Sequence, residues 1–181
     1  MDLSDITYTS GQDNTGGLTQ EFWFAKASDI ATWPTVKTKA LATTVEELMN
    51  YSGNFTMNSG KKFFTGYLTW GTGELKWSAQ GPVDSKSFKH SFEFSRPGCN
   101  ANSLALLDLV KNDNLVFIVL DKDGNKRVLG SEFLSAKLES AEGTTGKSGE
   151  DSKADVMTFV SELQGPPRFY VGTVPTTEAS S

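Results

Sequence analysis

The feature that most constrains the fold of this chain is a series of short apolar segments separated by regularly spaced turns. Between residues 53 and 95 there are four such segments in succession: GNFTMNSG, KKFFTGYLTWG, GELKWSAQG and KSFKHSFEFS. Glycine or proline turn signals recur roughly every 8–12 residues, and side-chain type alternates along the longer segments. This spacing is typical of an antiparallel β-sandwich or barrel.

Three further segments extend the same pattern. A strand is predicted by LTQEFWFA (18–25), and another by ADVMTFVSEL (154–163). LVFIVL (115–120) is apolar on both faces, which predicts a central strand covered from both sides. A tight hairpin turn is predicted at Asp123–Gly124, within DKDGNK.

Helical signals are few. One α-helix is predicted over 102–111 by NANSLALLDLVKN, with Asn102 or Ser103 as its N-cap. A shorter piece of one or two turns is predicted by TTVEELMNY (43–51), with a threonine cap ahead of two glutamates. We therefore expect a mainly β fold, an antiparallel β-sandwich or barrel with one flanking α-helix.

The 181 residues predict a single domain with extended ends. We expect an N-terminal arm over 1–16, a β-sandwich core over 17–172 that contains the helix, and a polar C-terminal tail over 173–181. A long flexible loop is predicted over 141–152, where the sequence is AEGTTGKSGEDS. The chain shows no internal repeat and no linker between two cores.

Charge and composition exclude several classes of protein. The net charge of −5 and the pI of about 4.9 leave no basic face for non-specific binding to a nucleic-acid duplex. The single cysteine rules out an internal disulfide. The first ten residues, MDLSDITYTS, are acidic and polar, unlike a secretory signal, and no apolar run approaches the roughly 18–20 residues of a membrane span. We expect a protein without a membrane anchor that is made in a cytoplasm.

The only histidine, His90, lies in KSFKHSFEFSRPG and shares a strand face with Phe88, Phe92 and Phe94. A catalytic histidine needs a nearby carboxylate or nucleophile, and none can be assigned. A metal site needs two or three more ligands, which one His and one Cys supply poorly. The structural interpretation is therefore favoured, and we expect no catalytic, metal-binding or cofactor-binding residues.

Two short segments are similar to binding loops but depart from them. GTTGKSG (143–149) has Ala141 where a P-loop has its first glycine, and a strand rather than a helix follows it. DKDGN (121–125) has its glycine at position four, whereas an EF-hand has it at position six. Glu46 and Glu47 are adjacent, so a helix would point them about 100° apart, and nothing near Cys99 would lower its pKa. An enzyme is the least favoured class.

The aromatic residues suggest two different roles. Trp70 and Trp77 flank a glycine turn near Tyr67, and such side chains can stack on sugars or single-stranded bases. They equally fill cores and subunit interfaces, which is the favoured interpretation. Large side chains occur on both faces of segments 18–25, 61–70 and 115–120. A single sandwich core cannot cover that much apolar surface, and this excess predicts self-assembly.

The order of segments resembles that of tail tube and related tail structural proteins of bacteriophages, especially phages of Bacteroidetes-type hosts. The resemblance rests on GGLTQEFWFAKASDIATWP, on GNFTMNSGKKFFTGYLTWGTGELKWSAQGPVDSKSFKHSFEFSRPG, on NDNLVFIVLDKDGNKRVLG and on DVMTFVSELQGPPRFYVG. It covers most of the chain as a pattern of strands, glycines and aromatics, with no invariant catalytic motif. It implies a small β-sandwich or barrel, of which six copies join their sheets edge to edge in a ring, and rings that stack into a hollow tube.

The resemblance also implies the partners and the location. The partners are copies of the same chain, other phage tail proteins, and genomic DNA that passes through without specific binding; the location is the tail of the virion. Six copies at −5 each would carry −30 and repel phosphates. The polar face of KSFKHSFEFS is suited to line such a channel through Ser87, Lys89, Ser91, Glu93 and Ser95.

Assembly contacts are expected in the edge strands, the arm, the 141–152 loop and the segment 165–181. The side chains expected to make them are Phe22, Trp23, Phe63, Tyr67, Trp70, Trp77, Phe169 and Tyr170, with Thr144, Lys147 and Glu150 in the loop that stacks rings. The alternatives are a carbohydrate-binding β-sandwich module, whose platform is Tyr67, Trp70 and Trp77, and a head decoration or head–tail completion protein.

Overall fold

The computed structural model describes residues 5–180 and confirms a mainly β fold with one α-helix. The helix is α1 (Ala101–Val110), and single 3-10 turns occur at Ala27–Asp29 and Glu46–Leu48. The strands are β1 (Leu18–Lys26), β2 (Ile30–Thr32), β3 (Thr35–Val36), β4 (Asn50–Ser52), β5 (Thr56–Met57), β6 (Phe64–Tyr67), β7 (Glu74–Gln80), β8 (Ser87–Pro97), β9 (Leu115–Asp121), β10 (Lys126–Leu129), β11 (Lys137–Thr144), β12 (Ala154–Leu163) and β13 (Arg168–Tyr170).

The strands form two main sheets. The larger sheet has seven strands in the order β3-β4-β13-β10-β9-β1-β6, and the smaller has four in the order β11-β12-β8-β7. Strands β2 and β5 pair with each other as a separate two-stranded sheet. The pairs of the four-stranded sheet are all antiparallel, whereas β13 and β4 of the larger sheet are parallel.

Strand β9 is the central, doubly covered strand that its sequence predicts. It lies between β10 and β1, and all five residues from Leu115 to Val119 are buried. The odd-numbered residues, among them Phe117, face the four-stranded sheet, and Val116 and Ile118 face away from it. Both faces of the larger sheet therefore carry a core.

The first core lies between the two main sheets and is largely aromatic. The ring centroid of Phe117 lies 6.1 Å from that of Phe22, 5.6 Å from that of Phe92 and 4.6 Å from that of Phe159. These four side chains come from four strands, β9, β1, β8 and β12. Helix α1 adds Val110, Leu106 and Leu107 to the same core.

The second core lies on the opposite face of the larger sheet. It contains Val116 and Ile118 of β9, and it is covered by Ile30, Phe55 and other side chains from the segment between β1 and β6. The apolar second face of 18–25 and 115–120, on which the predicted self-assembly rested, therefore does not need another copy to cover it. The chain covers that face itself, because the turn-rich stretch 27–63 supplies apolar side chains as well as connections.

The C-terminal segment is part of this second layer. The amide of Phe63 donates to the carbonyl of Pro175 at 2.9 Å, and the amide of Ala179 donates to that of Lys61 at 3.1 Å. The hydroxyl of Tyr170 donates to the carbonyl of Thr173 at 2.8 Å. The predicted trailing tail 173–181 is thus corrected, since the part of it within the described residues is hydrogen-bonded over the second core.

We expect the two ends of the chain to differ in their effect on stability. Deleting residues 174–181 should lower the free energy of unfolding by about 1–3 kcal/mol, because Val174 and Ala179 pack on the second core. Deleting residues 1–16 should leave it unchanged, since every described residue of that arm is exposed. Urea unfolding of both truncated proteins tests this prediction. An equal loss of unfolding free energy in the two proteins would contradict it.

Helix α1 begins and ends one residue earlier than predicted, and its N-cap is a different residue. The N-cap is Asn100, whose side-chain oxygen accepts from the Ser103 amide at 2.9 Å, while the Ser103 hydroxyl accepts from the Asn100 amide at 3.1 Å. This reciprocal pair satisfies two free amides of the first turn, which Asn102 does not do. In 43–51 there is one 3-10 turn, without a side-chain cap on it.

Two predicted boundaries in the sheets also change. Strand β11 continues to Thr144 because 141–144 pair with 154–157 of β12, so the loop between these strands spans 145–153 rather than 141–152. Strand β6 covers only Phe64–Tyr67 of the predicted 61–71 segment. Its beginning is replaced by the hydrogen bonds of Lys61 and Phe63 to the C-terminal segment.

Candidate assembly surface

His90 is a core residue of β8. Its side chain is 0 % exposed, and Nε2 lies 2.8 Å from the carbonyl oxygen of Gly165. Its cross-strand neighbours are Trp77 and Ser161, neither of which can ionise as a catalytic partner at neutral pH. Burial lowers the pKa of the imidazole below 6.5, the Gly165 carbonyl opposes that shift, and Arg168 adds to it. The structure therefore supports the structural interpretation of His90.

The burial of His90 predicts how stability depends on pH. Because the folded pKa lies below the unfolded value of 6.5, protons bind the unfolded chain more readily. The contribution of His90 to the free energy of unfolding should be constant above about pH 6.5. It should fall as the pH drops from there toward the pKa of the folded state. Urea unfolding of the native protein and of His90→Gln between pH 7.5 and 5.5 tests this, because the chain has one histidine. Parallel pH profiles of the two proteins would contradict it.

Cys99 and the glutamate pair do not form a reactive site. The thiol of Cys99 donates to Oδ1 of Asp155 at 3.0 Å, and this contact raises its pKa, so the thiolate is disfavoured. The side chain of Glu47 binds Lys37 and the Thr43 amide, which lowers its pKa to about 2. Both groups stay in their ordinary charge states near neutral pH.

The two segments similar to binding loops are closed by their own side chains. In the 145–153 loop, Oδ2 of Asp151 accepts from the amides of Lys147 at 2.7 Å and Ser148 at 2.8 Å. In the β9–β10 hairpin, Oδ1 of Asp121 accepts from the Asn125 amide at 2.7 Å. Gly124 has a φ of 86°, as a tight turn requires. Within residues 5–180 no three His, Cys, Asp or Glu side chains lie together as a metal site.

The outer face of the four-stranded sheet is mainly polar, with Val156 and Val160 of β12 as apolar members, and no residue on it is buried. The register places all five residues predicted to line a channel on this face of β8, beside Lys76 of β7 and Thr158 of β12. Five carboxylates and three lysines give it a net charge of −2. They are Glu74, Glu93, Glu139, Glu142 and Glu162, with Lys76, Lys89 and Lys137.

The same sheet has two free edges. Its outermost strands, β7 and β11, each pair with one neighbour within the described chain, and they are seven and eight residues long without a proline. An edge strand presents a row of unpaired amides and carbonyls, which is a template for pairing with another chain. Because the four strands alternate in direction, β7 and β11 run in opposite directions. A β7 edge placed beside the β11 edge of a second copy would therefore continue the antiparallel pattern.

Three of the predicted aromatic contacts lie inside the subunit. Phe22, Phe63 and Tyr170 are 4 %, 1 % and 1 % exposed. The structure corrects the prediction at these positions, because their rings fill the first core or the second and offer no surface to another copy. Trp23 and Phe169 are half-buried, with Trp23 packed on the second core.

The other three predicted aromatics remain on the surface. Tyr67 and Trp70 are 51 % and 67 % exposed, and Trp77 is 47 % exposed. Each contacts a polar or charged neighbour: Tyr67 accepts from Gln20 at 2.7 Å, Nζ of Lys122 lies 4.8 Å from the Trp70 ring, and Arg127 lies 5.8 Å from Trp77. These three side chains therefore do not fill a core and are accessible to an interface or a ligand.

The residues predicted to stack rings lie at one end of the four-stranded sheet. Lys147 and Glu150 are exposed in the 145–153 loop, and Thr144 is the last residue of β11. The loop joins β11 and β12 and therefore extends that end of the sheet along the strand direction.

Sequence reasoning missed a groove at the opposite end of the sheet. It is lined by residues just before β11 and just after β12, and it includes Phe133 and Leu134, which are 87 % and 46 % exposed. Both lie in EFLSAKLES, the segment that leads into β11. Two adjacent exposed apolar residues ahead of the strand were the available signal.

Comparison with known proteins adds no assignment. No protein-family model, no curated protein and no solved structure matches this chain. Among residues 5–180, no helix combines the length and the apolar character needed to cross a membrane.

Proposed function

We propose that this chain is the structural subunit of a bacteriophage tail tube, which assembles into rings that stack into a hollow, DNA-conducting tube. The observation that carries the proposal is the four-stranded sheet with a polar open face and two free edges. This surface replaces the excess of apolar side chains as the reason for self-assembly, because most of those side chains are buried in the two cores.

The strand directions allow the sheet to close on itself. With an even number of alternating strands, β7 of each copy meets β11 of the next in antiparallel orientation all the way around a ring. Six copies give 24 strands. At about 4.8 Å between strands and a tilt of about 40°, such a barrel has a backbone radius of roughly 24 Å. After side chains are allowed for, the opening is wide enough for a double helix.

The polar face suits the inside of such a tube. Its net charge of −2 per copy gives −12 for six copies, which repels phosphates without a cluster of cations to hold them. Its lysines are partly neutralised, since Lys76 pairs with Glu74 and Lys89 with Glu139. DNA would therefore pass along this face without specific binding.

The proposal defines the partners and the location. The chain binds copies of itself and other tail proteins, is made in the host cytoplasm and becomes part of the virion tail. It carries out no chemistry and needs no cofactor. The exposed Tyr67, Trp70 and Trp77, near the sheet edges, are suited to contacts between subunits.

Electron microscopy of the purified protein tests the proposal. Negatively stained samples over a range of concentrations should show rings of uniform diameter and, at high concentration, tubes with a central channel. A protein that remains monomeric at millimolar concentration, measured by light scattering, contradicts the proposal. Rings that never stack would favour a head decoration or head–tail completion protein instead.

Replacing residues 145–153 with a two-residue Asn-Gly turn should separate stacking from ring closure. We expect rings to persist, because β7 and β11 keep their edges, and tubes to become rare, because Lys147 and Glu150 are lost from the end of the sheet. Circular dichroism checks that the fold is retained. Tubes as long and as frequent as those of the native protein would exclude the loop as the stacking contact.

A second candidate function is carbohydrate binding, favoured by the exposure of Tyr67, Trp70 and Trp77. In that case Trp77→Ala should abolish binding to a glycan array without changing the oligomeric state, and Phe133→Ala, at a still more exposed aromatic elsewhere, should leave binding intact. Native protein that binds no glycan and forms tubes excludes this candidate.

A further inference from the structure

The N-terminal arm is an extended segment that its own subunit leaves uncovered. Every residue from 5 to 16 is exposed, and Ile6 and Tyr8 are 100 % and 74 % exposed. The arm is hydrogen-bonded to the rest of the chain through the Thr15 amide, which donates to Oδ1 of Asp123 at 3.2 Å. The arm carries three carboxylates, those of Asp2, Asp5 and Asp13, and no basic side chain.

The groove beyond the end of β12 has the complementary chemistry. We call it the β12-end groove; its volume is about 650 Å³, and it is bounded by Trp33, Leu134, Leu163 and Arg168 among others. Three basic side chains and one acidic side chain line it: Lys37, Lys39, Arg168 and Glu132. Lys39 is exposed at its rim, whereas Nζ of Lys37 lies 2.6 Å from Oε1 of Glu47.

The arm and the groove lie at opposite ends of the four-stranded sheet. Gly17, at the base of the arm, lines a surface cleft with Ser95 and Val156, which pair with each other in β8 and β12. The groove begins at Leu163, seven residues further along β12, or roughly 23 Å. Two complementary surfaces at opposite ends of one molecule form a head-to-tail contact, which repeats without closing.

On the basis of the proposed self-assembly, we propose that residues 5–16 of one copy occupy the β12-end groove of the copy stacked against it. Ile6 and Tyr8 lie against its apolar wall at Phe133, and Asp5 lies near Lys39. The twelve residues span up to about 40 Å when extended, which is enough to leave one subunit and enter the next. Burial of Tyr8 against the apolar wall of the groove is the main source of affinity, Ile6 and Phe133 are close neighbours in the contact, and the charges set the direction of the arm.

A pair of introduced cysteines tests the contact in the full-length protein. In a Cys99→Ser background, Ile6→Cys is combined with Phe133→Cys, or with Leu109→Cys as the control on helix α1. Leu109 is 69 % exposed, so the control thiol is accessible, but it lies outside the groove. Mild oxidation and non-reducing electrophoresis should show a ladder of linked copies at least about tenfold stronger for 6/133 than for 6/109, because docking raises the local thiol concentration.

A charge exchange on the same background gives an independent readout. Lys39→Glu should weaken the 6/133 ladder, and adding Asp5→Lys should restore it, while Lys111→Glu on the helix should leave it unchanged. An intramolecular 6/133 disulfide, which migrates as a monomer, would show that the arm folds onto its own subunit and overturn the proposal. Ladders of equal strength for both cysteine pairs would overturn it as well.

The outcomes separate this inference from the proposed function. Tubes visible by electron microscopy without a 6/133 ladder refute arm docking and leave the tube subunit intact. The absence of both tubes and a ladder refutes the two together. A 6/133 ladder with the predicted charge dependence supports the head-to-tail contact.

Discussion

Proline in the edge strand β7 is expected to raise the protein concentration needed for assembly by about a hundredfold or more. Two substitutions are needed, Ser78→Pro and Ala79→Pro, because consecutive amides of an edge strand point to opposite sides. One of these amides faces β8, and the other faces the free edge. Proline at the outward amide removes a donor from the contact between copies and leaves the pairing with β8 in place. Proline at the inward amide weakens the subunit itself.

Light scattering over a concentration series measures the assembly of both variants, and near-ultraviolet circular dichroism identifies the one that keeps its tertiary packing. The matched controls are Ser78→Val and Ala79→Val, which retain the amide and favour the strand. They should assemble as the native protein does. If the proline variant that keeps its native packing assembles at the native threshold, the β7 edge is not a contact between copies.

Phe117→Ala should reduce the free energy of unfolding by about 3–5 kcal/mol. The Phe117 side chain is 2 % exposed and lies within ring-contact distance of Phe22, Phe92 and Phe159, so its removal leaves a cavity between the two sheets. Urea unfolding at neutral pH measures the loss. Since small domains have only about 5–15 kcal/mol in total, this variant should be partly unfolded at physiological temperature.

Phe64→Ala is the control for this substitution. Phe64 is 50 % exposed and contacts the same cluster only at its rim, with its ring centroid 5.9 Å from that of Phe24. We expect a cost below about 1 kcal/mol. Equal losses at positions 64 and 117 would contradict the description of a single aromatic core between the sheets.

The strands with the strongest periodicity were predictable from sequence. Strand β9 was recognised because an apolar run without alternation requires cover on both faces. Strand β8 was recognised because His90 and its phenylalanine neighbours alternate with serines, a lysine and a glutamate. In both cases a local pattern fixes which faces are buried, and the structure confirms those faces.

The second core could not be predicted from local patterns. Its members include Ile30, Phe55, Tyr170 and Ala179, which are far apart in the sequence and lie in stretches with turn signals. The extra apolar face of β1 and β9 was correctly recognised, but it was assigned to another copy instead of to the rest of the same chain. Which of the two covers a face depends on long-range packing, and periodicity contains no information about it.

The candidate site was predictable in part. The polar face of β8 was identified from its alternation, and the register extends it to three other strands. The free edges and the β12-end groove depend on strand order and on residues that lie before β11 and after β12, so they require the structure. Three of the eight aromatic contact residues were misplaced because sequence does not distinguish a ring in an inner core from one at an interface.

Amide hydrogen exchange in dilute and assembled protein is the most direct test of edge-to-edge joining. On assembly, the outward amides of β7 and β11 should become protected by about a hundredfold or more, while those of β9, already buried, should change little. Assembled protein in which the amides of β7 and β11 exchange as fast as in the dilute monomer would contradict the claim that these edges join the copies.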